Sequence, residues 1–333
     1  MNKQMLKDTA SKMVEKGKGI LAADESTPTA GKRLQTIGVD STYETRNEYR
    51  DMLFTSDRIE KYISGVIMFD ETLRQSTTCS ESIPFVNLLG EKDIIPGIKV
   101  DTGAKNLSGF DREKITEGLD GLRGRLQEYF DIGARFAKWR AVITINDGIP
   151  SDLCILANAH ALARYASLCQ ETSIVPIVEP EVLMDGEHTV EECFEVSLKT
   201  LKVVFDQLYK FNVMLEGIVL KPNMVISGLD CIEQADIETV SRMTFDCLKS
   251  TVPEDVPGIA FLSGGQTSDL ATEHLNCMNK NYMDLMPWNL TFSYGRALQA
   301  DALKSWGGSD RQAGQESFIR RAESNSLATK GLL

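Results

Sequence analysis

The sequence predicts an α/β fold, a single (β/α)₈ TIM barrel, and three observations carry that prediction. Eight short apolar runs recur along the 333 residues, longer segments with helical signals separate them, and nearly every run ends in a polar or charged residue. Parallel strands alternating with helices produce the first two patterns. An active site at the C-terminal rim of a barrel produces the third.

The runs are Gly19–Asp24, Tyr62–Phe69, Ile94–Val100, Arg135–Ile143, Ile174–Glu181, Leu215–Pro222, Gly258–Gly265 and Leu290–Gly295. Gly-Val-Ile-Met-Phe in the second and Gly-Ile-Val-Leu in the sixth are nearly continuous apolar stretches, as strands covered on both faces require.

Between the runs, Ser41 with Glu44 and Thr189 with Glu192 fit the capping box that opens a helix. From Leu153 to Leu168, apolar residues at 153, 156, 159, 162, 163 and 166 fall on one helical face, and Val190–Phe211 shows a similar stripe. No Gly/Ser linker or low-complexity tract divides the chain, so 1–333 reads as one catalytic domain. Within it, about 305–333 reads as a polar C-terminal surface helix followed by mobile residues. An open doubly wound sheet fits the same alternation; eight strand–helix pairs favour closure.

Net charge is −12, from 36 basic and 48 acidic side chains, with 42% hydrophobic residues. Such a balance disfavours nucleic acid or an anionic membrane as the main partner, while a local cluster of Lys and Arg still suits a small anion. The N-terminal stretch carries no apolar segment of signal-peptide length, and no run reaches the roughly 18 apolar residues that span a bilayer. A cytoplasmic protein is the expectation. Seven cysteines, at 79, 154, 169, 193, 231, 247 and 277, include no C-x-x-C pair and read as free thiols in a reducing compartment. The three histidines, at 160, 188 and 274, have no ligand-like spacing, so no metal site is expected. Neither a dinucleotide fingerprint nor a Walker loop is present, and no cofactor is expected.

The rim residues suggest the chemistry. Lys221 follows Gly-Ile-Val-Leu and precedes Pro222, which keeps its backbone extended. An ordinary lysine titrates near about 10.4, too high for a nucleophile at neutral pH. An apolar setting or a second cation such as Lys138 lowers that value and frees the amine to attack a carbonyl. Taken alone, Lys221 fits a lysine reaching solvent at a strand end; two carboxylates and a second lysine at equivalent positions shift the balance. Glu179 and Glu181, two apart, share one side of a strand, as do Lys138 and Arg140. The carboxylates suit acid–base work on an imine, or a structural ion network with the basic residues, or both. Ser263-Gly264-Gly265 before a helix near Thr267 suits a phosphate, with Arg296 adding a bidentate contact beyond Ser293. Ser26, Thr29, Lys32 and Arg33 with Lys99 form either a second anion site or a solvated basic face.

Together these residues resemble the class I fructose-bisphosphate aldolases. The matching stretches are Gly-Ile-Leu-Ala-Ala-Asp-Glu-Ser-Thr at 19–27, Gly-Ile-Lys-Val-Asp at 97–101, Ala-Lys-Trp-Arg at 137–140 and Pro-Ile-Val-Glu-Pro-Glu at 176–181. The series continues with Leu-Lys-Pro-Asn-Met-Val at 220–225, Phe-Leu-Ser-Gly-Gly-Gln at 261–266 and Thr-Phe-Ser-Tyr-Gly-Arg-Ala-Leu-Gln at 291–299. The resemblance implies a metal-free glycolytic lyase on a TIM barrel, usually a homotetramer. It would interconvert fructose 1,6-bisphosphate with dihydroxyacetone phosphate and glyceraldehyde 3-phosphate, and so have sugar phosphates as its small-molecule partners.

It further implies that Lys221 forms the Schiff base, Glu179 dehydrates the carbinolamine, and Asp24 takes the C4 hydroxyl proton. Lys138 and Glu181 would orient substrate and set charge. Ser263, Gly264, Gly265 and Arg296 would hold the 1-phosphate, with Ser26, Thr29, Arg33 and Lys99 towards the 6-phosphate. Two departures stand out. The family's terminal tyrosine, which assists proton transfer, has no counterpart after Tyr294, and Thr29 replaces a common serine. A transaldolase-like enzyme and a non-catalytic sugar-phosphate scaffold are the alternatives. Activity on a non-phosphorylated ketose would mark the first, and loss of Lys221 or Glu179 the second.

Overall fold

The apolar runs become eight parallel strands that close on themselves in the computed structural model, which describes all 333 residues. In chain order the strands are β1 (Gly19–Ala23), β2 (Ile63–Met68), β3 (Ile95–Lys99), β4 (Ala104–Asn106), β5 (Lys114–Thr116), β6 (Phe136–Ile143), β7 (Val175–Val182), β8 (Val219–Leu220), β9 (Gly258–Phe261) and β10 (Asn289–Tyr294). The barrel runs β1-β2-β3-β6-β7-β8-β9-β10, and β10 returns to β1 through Ile20–Ser293 and Leu21–Tyr294. The open-sheet alternative is thereby excluded.

Alternate residues on a strand face opposite sides, and here the two faces fill separate cores. Ile20, Ala22, Ile67, Ile95, Phe136, Val175, Ile177, Val219 and Ala260 pack inside the barrel. Leu6, Ala10 and Met13 of the Lys3–Met13 helix join them and close one end. Leu21, Ala23, Ala137, Trp139 and Val178 face outward into the larger core beneath the helices. Phe136 fills the barrel's centre because its neighbours lack side chains: a Cβ on Gly97 would lie 2.2 Å from its ring, and one on Gly65 3.0 Å. Followed up the strands, the inward parity turns from apolar to charged. Ala22 gives way to Asp24, Phe136 to Lys138 and Arg140, Ile177 to Glu179 and Glu181, and Val219 to Lys221.

Several local expectations change. The capping box before the Tyr43–Phe54 helix is made by Thr42 and Thr45 rather than Ser41 and Glu44; the Thr189–Glu192 box forms as expected. In the Asp152–Glu171 helix the buried face runs through Cys154, Ile155, Asn158 and Leu162, so Leu153 and Leu156 are exposed. Of the Leu215–Pro222 run only Val219–Leu220 is strand, because Leu215–Gly217 forms a 3-10 turn. The β4–β5 hairpin was not anticipated; three residues a side, those of β4 all exposed, leave no apolar run to read.

The C-terminal segment is more firmly held than its polarity suggested. The Arg311–Ala328 helix buries Phe318, Ala322 and Ala328, Asp51 accepts from Arg311, and the Leu333 amide donates to Asn276 Oδ1 at 3.0 Å. All seven cysteines are unpaired, with Cys154, Cys169, Cys193 and Cys247 buried. No helix is long and apolar enough to cross a membrane.

Candidate active site

The charged ends of the strands converge on one cavity of about 290 Å³ at the C-terminal mouth of the barrel. Asp24, Lys138, Glu179, Glu181 and Lys221 line it, with Ser26, Thr29, Arg33, Lys99, Ser263, Gly264, Gly265, Ser293 and Arg296; Lys32, grouped with Arg33 in the sequence, does not. None of the barrel's eight strands except β2 fails to contribute, directly or through the residues that follow it.

At the floor four charges form a chain. Lys221 Nζ stands 3.1 Å from Glu179 Oε1, Lys138 Nζ stands 3.2 Å from Glu179 Oε2, and Lys138 donates to Asp24 Oδ2 at 2.9 Å. The Lys138–Glu179 contact lacks hydrogen-bond alignment, so Glu179 Oε2 keeps an open lone pair. Their side chains are only 3–13% exposed, so each charge depends on its neighbours. Burial opposes the Glu179 charge, but Lys138, Lys221 and Arg140 outweigh it and hold its carboxyl below the usual range. Burial likewise opposes the Asp24 charge, yet Lys138 and Lys221 hold that carboxyl well below its ordinary value. Lys138 answers in kind: burial disfavours its ammonium, and Asp24 and Glu179 more than compensate, raising its pKa. Beside this chain, Arg140 pairs with Glu181, and Lys99 stands 3.7 Å from Asp101 Oδ1.

Two places on the rim suit anions. The first joins the Ser263–Gly265 turn to the start of the Arg296–Trp306 helix. Gly264 and Gly265 both take positive φ, +56° and +86°, open to glycine at little cost. That helix has no side-chain cap at Gly295, which leaves amides for a ligand. The helix near Thr267 is different: Thr267 accepts from the Leu270 amide and closes its own end. Ser293 Oγ is buried without a partner. The second place is the Thr27–Gln35 helix, also uncapped at Ser26, where Thr29 lies 3.1 Å from the Ser26 hydroxyl and Arg33 follows one turn on. These two places are not diametrically opposed. β1 and β10 are hydrogen-bonded neighbours, and Arg33 Nη2 lies 3.8 Å from where a Cβ of Gly295 would be.

Sequence reading passed over Glu25, although it lines the cavity and pairs with Arg33 and Arg50. Its partners Arg50 and Gln299 are 25 and 274 residues away, a relationship with no local signal. The histidines lie apart from the cavity; His160 packs on Phe211 and His274 bonds Gln266.

Comparison with known proteins points the same way as the cavity. The family model for fructose-bisphosphate aldolase class-I matches residues 5–333. A probable fructose-bisphosphate aldolase class 1 from Xanthomonas campestris pv. campestris is 54% identical, with 99% of each chain covered. A fructose-bisphosphate aldolase from Plasmodium falciparum is 50% identical over 98% of this chain and 88% of its own. A solved structure of fructose-bisphosphate aldolase from Plasmodium falciparum, in complex with TRAP and a small-molecule inhibitor, superposes with a TM-score of 0.96 at 49% identity. It covers 98% of this chain and 94% of its own. A closed parallel barrel, a lysine–carboxylate chain at its mouth and near-complete coverage of such relatives lead to one assignment: the chain belongs to the class I fructose-bisphosphate aldolase family.

Proposed function

We propose that Lys221 forms the Schiff base of the aldolase reaction and that Glu179 carries the proton which makes and dehydrates it. The single observation behind this reading is the 3.1 Å contact between the Lys221 amine and a buried carboxylate held ionised by surrounding cations. Glu179 takes a proton from the Lys221 ammonium, and the freed amine attacks the C2 carbonyl of the ketose. The same proton goes to the carbinolamine hydroxyl, which leaves as water, and the resulting iminium carries the positive charge that the ammonium held.

Cleavage of C3–C4 sends the bond's electrons into that iminium, giving an enamine, while the C4 hydroxyl loses its proton and becomes an aldehyde. Asp24 is the acceptor of that proton, kept as a carboxylate by Lys138 at 2.9 Å. Protonation of the enamine at C3 and hydrolysis of the imine then release the ketose phosphate and restore Lys221. Lys138 and Glu181 orient substrate and balance charge.

Ring order supports the assignment of the two phosphates. The Ser263–Gly265 turn follows β9, the strand beside the Lys221 strand β8, so it and Arg296 suit the phosphate next to the reacting carbonyl. Ser26, Thr29 and Arg33 follow β1 and, with Lys99, suit the remote phosphate. We further propose a cytoplasmic homotetramer, on the family resemblance; light scattering on the purified protein tests the assembly. The chemistry is tested by borohydride reduction with dihydroxyacetone phosphate in the presence of a chelator, followed by peptide mapping. An adduct on Lys221 is expected. An adduct elsewhere, or its loss on chelation, defeats the proposal.

A further inference from the structure

A second charged network stands in the cavity wall, centred on Glu25, which lines the cavity with a side chain only 5% exposed. Glu25 Oε1 accepts from Arg33 Nη1 and, at 3.2 Å, from Gln299 Nε2; Oε2 accepts from Arg50 Nη2. Gln299 also donates to the Ala22 carbonyl at 2.6 Å and accepts from the Tyr49 hydroxyl at 3.1 Å and Arg50 Nη1 at 3.3 Å. One carboxylate therefore ties the helices Thr27–Gln35, Tyr43–Phe54 and Arg296–Trp306 to the end of β1.

Of the three groups that donate to Glu25, only Arg33 reaches the cavity. An unrestrained arginine loses rotamer freedom whenever it grips a ligand, and that cost lowers affinity. Arg33 is instead oriented before any ligand arrives, on the helix that presents the Ser26 and Thr29 hydroxyls. Buried Arg50 occupies the other Glu25 oxygen, so the carboxylate's charge is engaged rather than left free to repel an anion. We infer that Glu25 is a positioning residue that sets specificity for the substrate phosphate remote from Lys221, by holding Arg33 in place. The inference rests on the phosphate assignment proposed above.

The test compares E25Q with wild type on fructose 1,6-bisphosphate and fructose 1-phosphate side by side. On the phosphate assignment above, the monophosphate lacks the group that Ser26, Thr29 and Arg33 suit. The kcat/KM preference for the bisphosphate should therefore fall about tenfold, carried mainly by KM. Equal losses on both substrates, or an unchanged preference, overturn the inference. Combined with R33M, E25Q should lower the preference no further than R33M alone; an additive loss also overturns it. Should glutamine prevent folding by stranding Arg50, the E25Q/R50M variant carries the same comparison with both charges removed. Borohydride trapping on wild type and E25Q separates the two levels. An adduct on Lys221 in both, with preference unchanged, defeats the Glu25 inference alone. No adduct in either defeats the Schiff-base reading, and the Glu25 inference with it.

Discussion

The Lys221 amine and the Glu179 carboxylate meet at 3.1 Å on the cavity floor, their side chains 4% and 3% exposed, with Lys138 on the far oxygen of the same carboxylate. A carboxylate so placed can both accept and return a proton, whereas an amide of the same shape can do neither. Glu179→Gln is therefore expected to slow imine formation about 10²–10⁴-fold while leaving Lys221 in place. Single-turnover trapping with dihydroxyacetone phosphate measures that step directly. An undiminished rate would assign the proton transfer to another group.

Lys138 bridges two buried carboxylates, and its removal has a signed pH dependence. Asp24 and Glu179 both have folded pKa values below their ordinary ones. Each therefore contributes stability that is present above the unfolded value, about 4, and is lost as pH falls through the folded value. Lys138→Met leaves both with one fewer cation, so the variant should be less stable than wild type by about 3 kcal/mol at pH 7. The gap should shrink below about pH 4, where wild type also loses these contributions. Urea unfolding at pH 7 and pH 3.5 checks this. A gap that stays constant or widens in acid would mean that the ion chain does not stabilise the fold.

Much of this was readable in the sequence for a physical reason: strand residues alternate, so Lys138 with Arg140 and Glu179 with Glu181 had to share a side, and the apolar residues below them fixed which side. Every rim residue chosen on that logic lines the cavity. What alternation cannot supply is the pairing across strands. That Lys138 bridges Asp24 and Glu179, or that Glu25 collects Arg33 and Arg50, depends on barrel closure and helix packing. Boundaries failed where signals were ambiguous over one residue, as at Ser41 and Thr42, or where an apolar residue such as Leu153 lay on a partly exposed helix face. The β4–β5 hairpin and the packing of the C-terminal helix were missed because both segments are polar in composition.

Gly265 tests the first anion site. Its φ is +86°, and an added Cβ would lie 2.9 Å from Met184 Sδ and 3.3 Å from Arg296 Nη2. The methionine can move, but an alanine at this φ costs about 1–2 kcal/mol, and the cheapest relief is to shift the turn. Gly265→Ala should raise KM for fructose 1,6-bisphosphate about tenfold with a smaller change in kcat. Steady-state kinetics decide it; an unchanged KM would remove the turn from the binding site.

The barrel's centre allows a test that is independent of chemistry. Gly97 has an ordinary backbone, but its Cβ would lie 2.2–2.5 Å from three ring atoms of Phe136, a fully buried side chain that cannot swing aside without displacing Gly65 or the strands. Gly97→Ala should destabilise the fold by about 3 kcal/mol, the upper end for overpacking in a close-packed core. Trimming the ring should relieve the clash, so Phe136→Leu combined with Gly97→Ala should be more stable than the sum of the two single losses allows. Urea unfolding of the four proteins measures the coupling. If the losses simply add, the ring is not confined by the missing side chain at 97, and Phe136 does not occupy the barrel's centre in the way described.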